Sequence, residues 1–156
     1  MRHLLLVAML GTGLVAPRVA SGQDDGDVEA ITRAALDYGL GWYEGDAERM
    51  ARALHPELAK RMVFTDPTTG RSRLSQQGAM TLVNNTRAGG GSNAPVRSRE
   101  SEVTIFEVFE NAAVAKVVGP EWVDYLQLAK WNGEWLIVNV LWELTPESRS
   151  RMIGAP

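Results

Sequence analysis

Asn132-Gly133 sits between two largely apolar runs, residues 122–131 and 134–144. An Asn-Gly pair accepts the positive φ angles of a tight turn with little strain, so the two runs read as strands joined by a two-residue hairpin. A two-residue loop fixes the register. It sets Lys130 opposite Trp135, Leu128 opposite Ile137, Leu126 opposite Asn139 and Asp124 opposite Leu141, all on one face. The other face carries Tyr125, Gln127, Ala129 and Trp131 with Leu136, Val138, Val140 and Trp142. Both faces are largely apolar, so both need cover. Helices would take one, and a second copy of the chain would take the other, giving a homodimer through the sheet.

The residues before the hairpin supply the helices. Val28, Ile31, Ala35, Tyr38 and Trp42 recur at helical spacing behind Asp27, a suitable N-cap. Gly45 stops that helix, Asp46 caps a second over 47–54, and Pro56 ends it. Residues 58–65 read as a strand, and Asp66-Pro67-Thr68-Thr69-Gly70 is turn chemistry. Ser75 is placed to cap a third helix with Met80 and Val83 inward. Residues 88–95, with Gly89-Gly90-Gly91, read as a connector or as a lid over a pocket. Strands follow around Val103, Ile105 and Phe109 and at 113–118, with a turn at Asn111. The fold class is therefore α+β: helices packed on one face of a curved antiparallel sheet. One domain over 28–145 is expected, after a flexible lead-in at 23–27 and before a frayed polar tail at 146–156.

The first residues read as an address. Arg2 and His3 precede an apolar run from Leu4 to Ala16, and Ala20-Ser21-Gly22 offers small residues for cleavage, the pattern of a secretory signal peptide over 1–22. The run is too short to span a bilayer comfortably. The expected location is therefore periplasmic or secreted, with no stable membrane insertion after cleavage. A net charge of -3 and no basic run argue against nucleic acid as a partner. The chain has no cysteine, which removes disulfides, thiolate metal sites and a Cys nucleophile. Beyond the leader the only histidine is His55, so no His-rich metal site can form. The triple glycine lacks the lysine of a phosphate loop. No metal and no cofactor are implied.

What remains is the polar pair on the first hairpin face. Asp124 and Asn139 fall among Leu, Ile and Trp. A buried carboxylate is costly unless bonded or protonated, so Asp124 is an edge residue, a bonded structural residue or a functional one.

The segments Trp42-Tyr43-Glu44-Gly45-Asp46, Ala53-Leu54-His55-Pro56-Glu57-Leu58-Ala59-Lys60-Arg61, Asp124 to Lys130 and Asn132 to Trp142 occur in an order that resembles the Putative lumazine-binding family. That family belongs to the nuclear transport factor 2-like (SnoaL-like, cystatin-like) superfamily. The resemblance covers most of 28–144. It implies a cone, a bent sheet wrapped around the N-terminal helices, with an apolar pocket at the open end and no particular reaction. On it, Tyr38, Trp42, His55, Trp122, Asp124, Asn139 and Trp142 are candidates to bind a small apolar or heterocyclic ligand.

The chain is also similar to the ketosteroid isomerases of the same fold in three places: Tyr38 ahead of Gly45-Asp46, Asp66-Pro67 after the first strand, and Asp124 before the hairpin. That similarity implies an isomerase-like or dehydratase-like enzyme with Asp66 as the base. Tyr38 and a protonated Asp124 would donate to an enolate oxygen, and Trp142 would be a pocket tryptophan. The hairpin register puts Asp124 and Trp142 on opposite faces, so this needs a bulge. A third possibility is a structural homodimer whose cone is filled by side chains.

Overall fold

The structure, a computed structural model, describes residues 25–94 and 100–153. The expected signal peptide lies outside them, as do residues 23–24 of the lead-in, residues 95–99 and residues 154–156. The elements run α1 (Asp25–Glu44), α2 (Ala47–Ala53), β1 (Leu54–Thr65), β2 (Ser72–Gln77), α3 (Ala79–Arg87), β3 (Glu102–Phe109), β4 (Ala112–Val118), β5 (Trp122–Trp131), β6 (Glu134–Leu144) and α4 (Pro146–Ile153). The six strands form one curved, unclosed sheet in the order β2-β1-β6-β5-β4-β3. The sheet is mixed: β1 runs parallel to β6, and the other neighbours are antiparallel. Because two helices precede β1, it enters the sheet from a distant part of the chain and need not reverse against its neighbour.

Helix α1 lays Ile31, Ala34, Ala35 and Tyr38 on the inner face of the sheet, against Val117, Leu126, Ile137 and Val140 in one buried cluster. Gly45 ends it at φ +69. The Asp46 carboxylate then accepts from the N–H groups of Glu48 (3.1 Å) and Arg49 (2.9 Å), starting α2. Asp27, expected as the cap of α1, lies inside the helix. Its carboxylate instead accepts from Lys130 Nζ (2.7 Å) and Trp135 Nε1 (2.9 Å), tying α1 to the hairpin. Those bonds favour the charged form and hold Asp27 below the usual carboxylate range.

Two other expectations change. Ser75 caps no helix, because it lies in β2 opposite Met62. The Asp66 carboxylate accepts from the N–H groups of Thr68 and Thr69, both at 2.9 Å, which turns the chain sharply and returns 72–77 onto β1. Helix α3 starts only after Gly78. The tail does not fray at Pro146 either: 146–153 is α4, with Ser148 only 4% exposed. The Thr145 hydroxyl accepts the Ser148 N–H at 3.4 Å as its cap.

The hairpin forms where the sequence places it, with Asn132 at φ 51 and Gly133 at φ 87. Its register holds through Leu128↔Ile137 and then slips by one, giving Gln127↔Asn139 and Asp124↔Trp142. Val138 is the extra residue. A one-residue bulge exchanges the faces of everything beyond it. Val140, Trp142 and Leu144 turn inward, while Asn139, Leu141 and Glu143 turn outward.

Candidate functional site

The bulge places Asp124 and Trp142 side by side on the inner face. Asp124 is fully buried and Tyr38 is 3% exposed. Tyr38 reaches down from α1, and its hydroxyl donates to Asp124 Oδ2 at 2.5 Å. The third member is Lys60, 8% exposed, on an inward position of β1. Its ammonium donates to Tyr38 Oη and approaches Asp124 Oδ1 at 3.1 Å and Oδ2 at 3.3 Å.

Strand order explains this meeting. β6 lies between β1 and β5, so Lys60 and Asp124 start about 10 Å apart across the sheet. A lysine side chain spans most of that gap by lying over the intervening strand. Lys60 Nζ sits 4.7 Å from the ring centroid of Trp142 on β6. It also sits 5.0 Å from that of Tyr38 and 5.9 Å from that of Trp122. These are cation–π distances, and here the cation is desolvated. Tyr43 stacks on Trp122, with ring centroids 5.7 Å apart and planes within 8°.

Burial sets the electrostatics. Removal from water pushes the Asp124 carboxyl up, and Lys60 and Tyr38 only partly offset it. The same desolvation pushes the Lys60 ammonium down against the attraction of Asp124. Burial and the neighbouring carboxylate together raise the Tyr38 phenol well above its ordinary range. Both shifts in the ion pair favour moving one proton from lysine to aspartate.

Above the three residues is a cavity of about 390 Å³. Tyr38, Trp42, Trp122 and Trp142 give it aromatic walls, and Met50, Leu82 and Leu144 give it aliphatic ones. Lys60 and Gln77 also line it. Glu121 lies at its edge with Ser148 and Arg151 of α4, so the expected loose tail forms part of the wall. The glycine loop packs directly behind Trp42: the Gly91 N–H donates to Trp42 O at 2.9 Å. A Cβ on Gly91 would fall 2.7 Å from both Trp42 Nε1 and Tyr43 Cδ1. That contact requires glycine.

Of the candidate residues, Tyr38, Trp42, Trp122 and Trp142 line the cavity, and Asp124 lies beneath it. Three are elsewhere. Asp66 is spent on its own turn, and the N–H bonds it accepts hold its carboxyl below the usual range. Asn139 is turned by the bulge to the outer face, where it accepts from Arg61 Nη1 (2.7 Å) and donates to Gln127 Oε1 (3.1 Å). His55 begins β1 and packs edge-on to Trp131 with centroids 5.0 Å apart. Lys60 was not among the candidates. Its signal was available: a lysine in phase with Leu58 and Met62 on the inward side of a strand. Among the described residues, no group of three or more His, Asp or Glu is placed to hold a metal ion.

None of the curated proteins matches the chain. Solved structures do, at identities that speak to fold alone. An NTF2-like protein of unknown function from Shewanella baltica OS155 is 19% identical with a TM-score of 0.57, over 78% of this chain and 95% of that one. An NTF-2-like protein of unknown function from Silicibacter pomeroyi DSS-3 is 14% identical with a TM-score of 0.59, over 77% and 97%. A protein of unknown function with a cystatin-like fold from Nostoc punctiforme PCC 73102 is 15% identical with a TM-score of 0.51, over 79% and 94%. The model of the family described as "Putative lumazine-binding" matches residues 26–143, and this chain, NTF2-like in fold, belongs to that family.

Proposed function

We propose that this protein is an exported small-molecule-binding domain whose ligand is a flat, largely apolar heterocycle held in the aromatic cavity. The observation that carries the reading is the cavity's composition: four aromatic side chains around about 390 Å³, with Lys60 reaching in and Gln77, Glu121, Ser148 and Arg151 as the other polar lining residues. That is the ordinary chemistry of a ligand site, an apolar enclosure with few, placed polar atoms. The open volume favours a ligand over a cone filled by side chains. The family's description points to the same ligand class, a fused heterocycle with carbonyl and ring-nitrogen acceptors along one edge. Lys60, whose ammonium carries three N–H donors, is the lining group placed to meet such an edge. Export rests on the basic start and apolar run of residues 1–22.

Pairing with a second copy is part of the reading. Phe106, Val114, Tyr125 and Leu141 are exposed on the outer sheet face, between 38% and 63% with the neighbouring Phe109. Such a row of apolar side chains suits a second apolar surface.

Native mass spectrometry of the protein purified from its own host tests the ligand. A retained mass with the ultraviolet absorption of a conjugated heterocycle is expected. No retained mass, together with no thermal shift across lumazine, pterins, flavins and steroids, would refute the reading.

A further inference from the structure

We infer that Lys60 is a nucleophilic amine, and that the cavity takes a flat aldehyde or ketone which it binds covalently as an imine. The inference rests on the binding reading above and adds a reaction to it.

Three observations converge. Lys60 is the amine that reaches a cavity walled mainly by aromatic and aliphatic side chains, with Gln77, Glu121, Ser148 and Arg151 completing its lining. Its amine has an acid and a base within hydrogen-bond distance, the Tyr38 hydroxyl and the Asp124 carboxyl. Its surroundings are dry, with the Tyr38, Trp122 and Trp142 rings around Nζ, and a desolvated lysine is the form that serves as a Schiff-base nucleophile. An ion pair serving stability alone needs no opening onto a cavity.

The chemistry closes without a further reactant. One proton passes from Lys60 to Asp124, which leaves the net charge of the pair unchanged and frees the nitrogen lone pair. That pair attacks the carbonyl carbon, a C–N bond forms, and the carbonyl π electrons move to oxygen. Tyr38 and Asp124 supply the proton that makes the hydroxyl of the carbinolamine. Asp124 takes the proton released by nitrogen. A second protonation of the hydroxyl releases it as water as the C=N bond forms. The balance is amine plus carbonyl giving imine plus water. Trp142, lying under the lysine chain, would stack on a planar substrate and hold the carbonyl toward Nζ.

The lysines of the chain are Lys60, Lys116 and Lys130, and the last two are half-buried on strands β4 and β5 outside the cavity. This makes the test simple. The folded, full-length protein is incubated with a low concentration of 2-naphthaldehyde and treated with sodium borohydride, and the modified peptide is mapped. In parallel, tryptophan quenching is titrated with the aldehyde and with 2-naphthalenemethanol, which has no carbonyl.

The expected result is one addition per chain, equal to the aldehyde less one oxygen, on Lys60 at least tenfold faster than on Lys116 or Lys130. It should be absent from a folded K60M/D124L variant. Modification at Lys116 and Lys130 as fast as at Lys60 would overturn the inference. If both compounds quench with equal affinity and Lys60 is not reduced, the pocket stands and the nucleophile falls. If neither compound quenches, the binding reading falls with it.

Discussion

Lys60→Met and Asp124→Asn should each destabilise the protein strongly, with opposite pH dependence. Lys60 and Asp124 are 8% and 0% exposed, so solvent neither screens the pair nor hydrates a survivor. The cost of stranding one charge is bounded by the cost of neutralising it. In Lys60→Met the stranded carboxyl can take a proton. Its ordinary value is 3.8, so protonation at pH 7 costs about 4 kcal/mol at ~1.4 kcal/mol per pH unit. In Asp124→Asn the stranded ammonium can lose one. Its ordinary value is 10.5, so this costs about 5 kcal/mol on the same scale. These ceilings agree with the roughly 3–5 kcal/mol typical of a broken buried pair.

The signs follow from linkage. Folded Lys60→Met holds Asp124 protonated while the unfolded chain ionises above 3.8, so its deficit shrinks as pH falls towards that value. Folded Asp124→Asn holds Lys60 neutral while the unfolded chain is charged below 10.5, so its deficit shrinks as pH rises. K60M/D124L removes both charges and should lie within about 2 kcal/mol of the parent. Urea unfolding followed by tryptophan fluorescence from pH 5 to 9 gives all four stabilities. At a typical m value of ~1–3 kcal/mol/M the single-variant shifts are on the order of 2 M at pH 7. Deficits below about 1 kcal/mol, or two single-variant costs that simply add in the double, would refute a desolvated, coupled pair.

Other outcomes follow from single contacts. Gly91→Val should displace Trp42 and cost about 1–3 kcal/mol by overpacking, with weaker quenching by cavity ligands; an unchanged thermal midpoint and unchanged quenching would contradict the flush contact of Gly91 with Trp42 and Tyr43. Asp66→Asn should leave ligand affinity unchanged. It should remove a part of the acid sensitivity, because the depressed carboxyl stabilises the fold above 3.8 and that stability is lost as pH falls through its folded value; urea melts at pH 7 and pH 3 check this. The Tyr125→Lys and Leu141→Lys pair on the outer face, 49% and 47% exposed in the parent, should shift sedimentation toward monomer without altering the circular dichroism spectrum.

The hairpin and the helix–strand order were legible because they depend on local chemistry: Asn-Gly backbone freedom, 3-4 spacing, Gly45 and Asp46 at a helix break. The bulge at Val138 was not. Nothing in the residues themselves marks it, because Val138 suits a regular strand. It is selected by burial, which turns the Asn139 amide and the Glu143 carboxylate outward and Trp142 inward. The misplacement of Asn139 and the apparent conflict between Asp124 and Trp142 came from that single residue. Ser75 misled for a related reason: a serine before an apolar run signals a cap only if the chain is not already committed to a ladder. The inward phase of Lys60 was legible on β1, but its meeting with Asp124 needs β6 to separate β1 from β5, a parallel pairing that no local pattern encodes. Asp124 was legible as a lone carboxylate in an apolar run, and Tyr38, Trp42, Trp122 and Trp142 were candidates through the family resemblance.

Tryptophan fluorescence titrated with lumazine, at pH 7 and with Trp142→Ala in parallel, most directly tests whether the cavity is a ligand site. Trp42, Trp122 and Trp142 all face the same space. A planar heterocycle stacked there should quench saturably at one ligand per chain, and Trp142→Ala should weaken the affinity about tenfold, the worth of ~1.4 kcal/mol of stacking. A linear, non-saturating response that is identical in parent and variant, for lumazine and for the pterins and flavins alike, would contradict it.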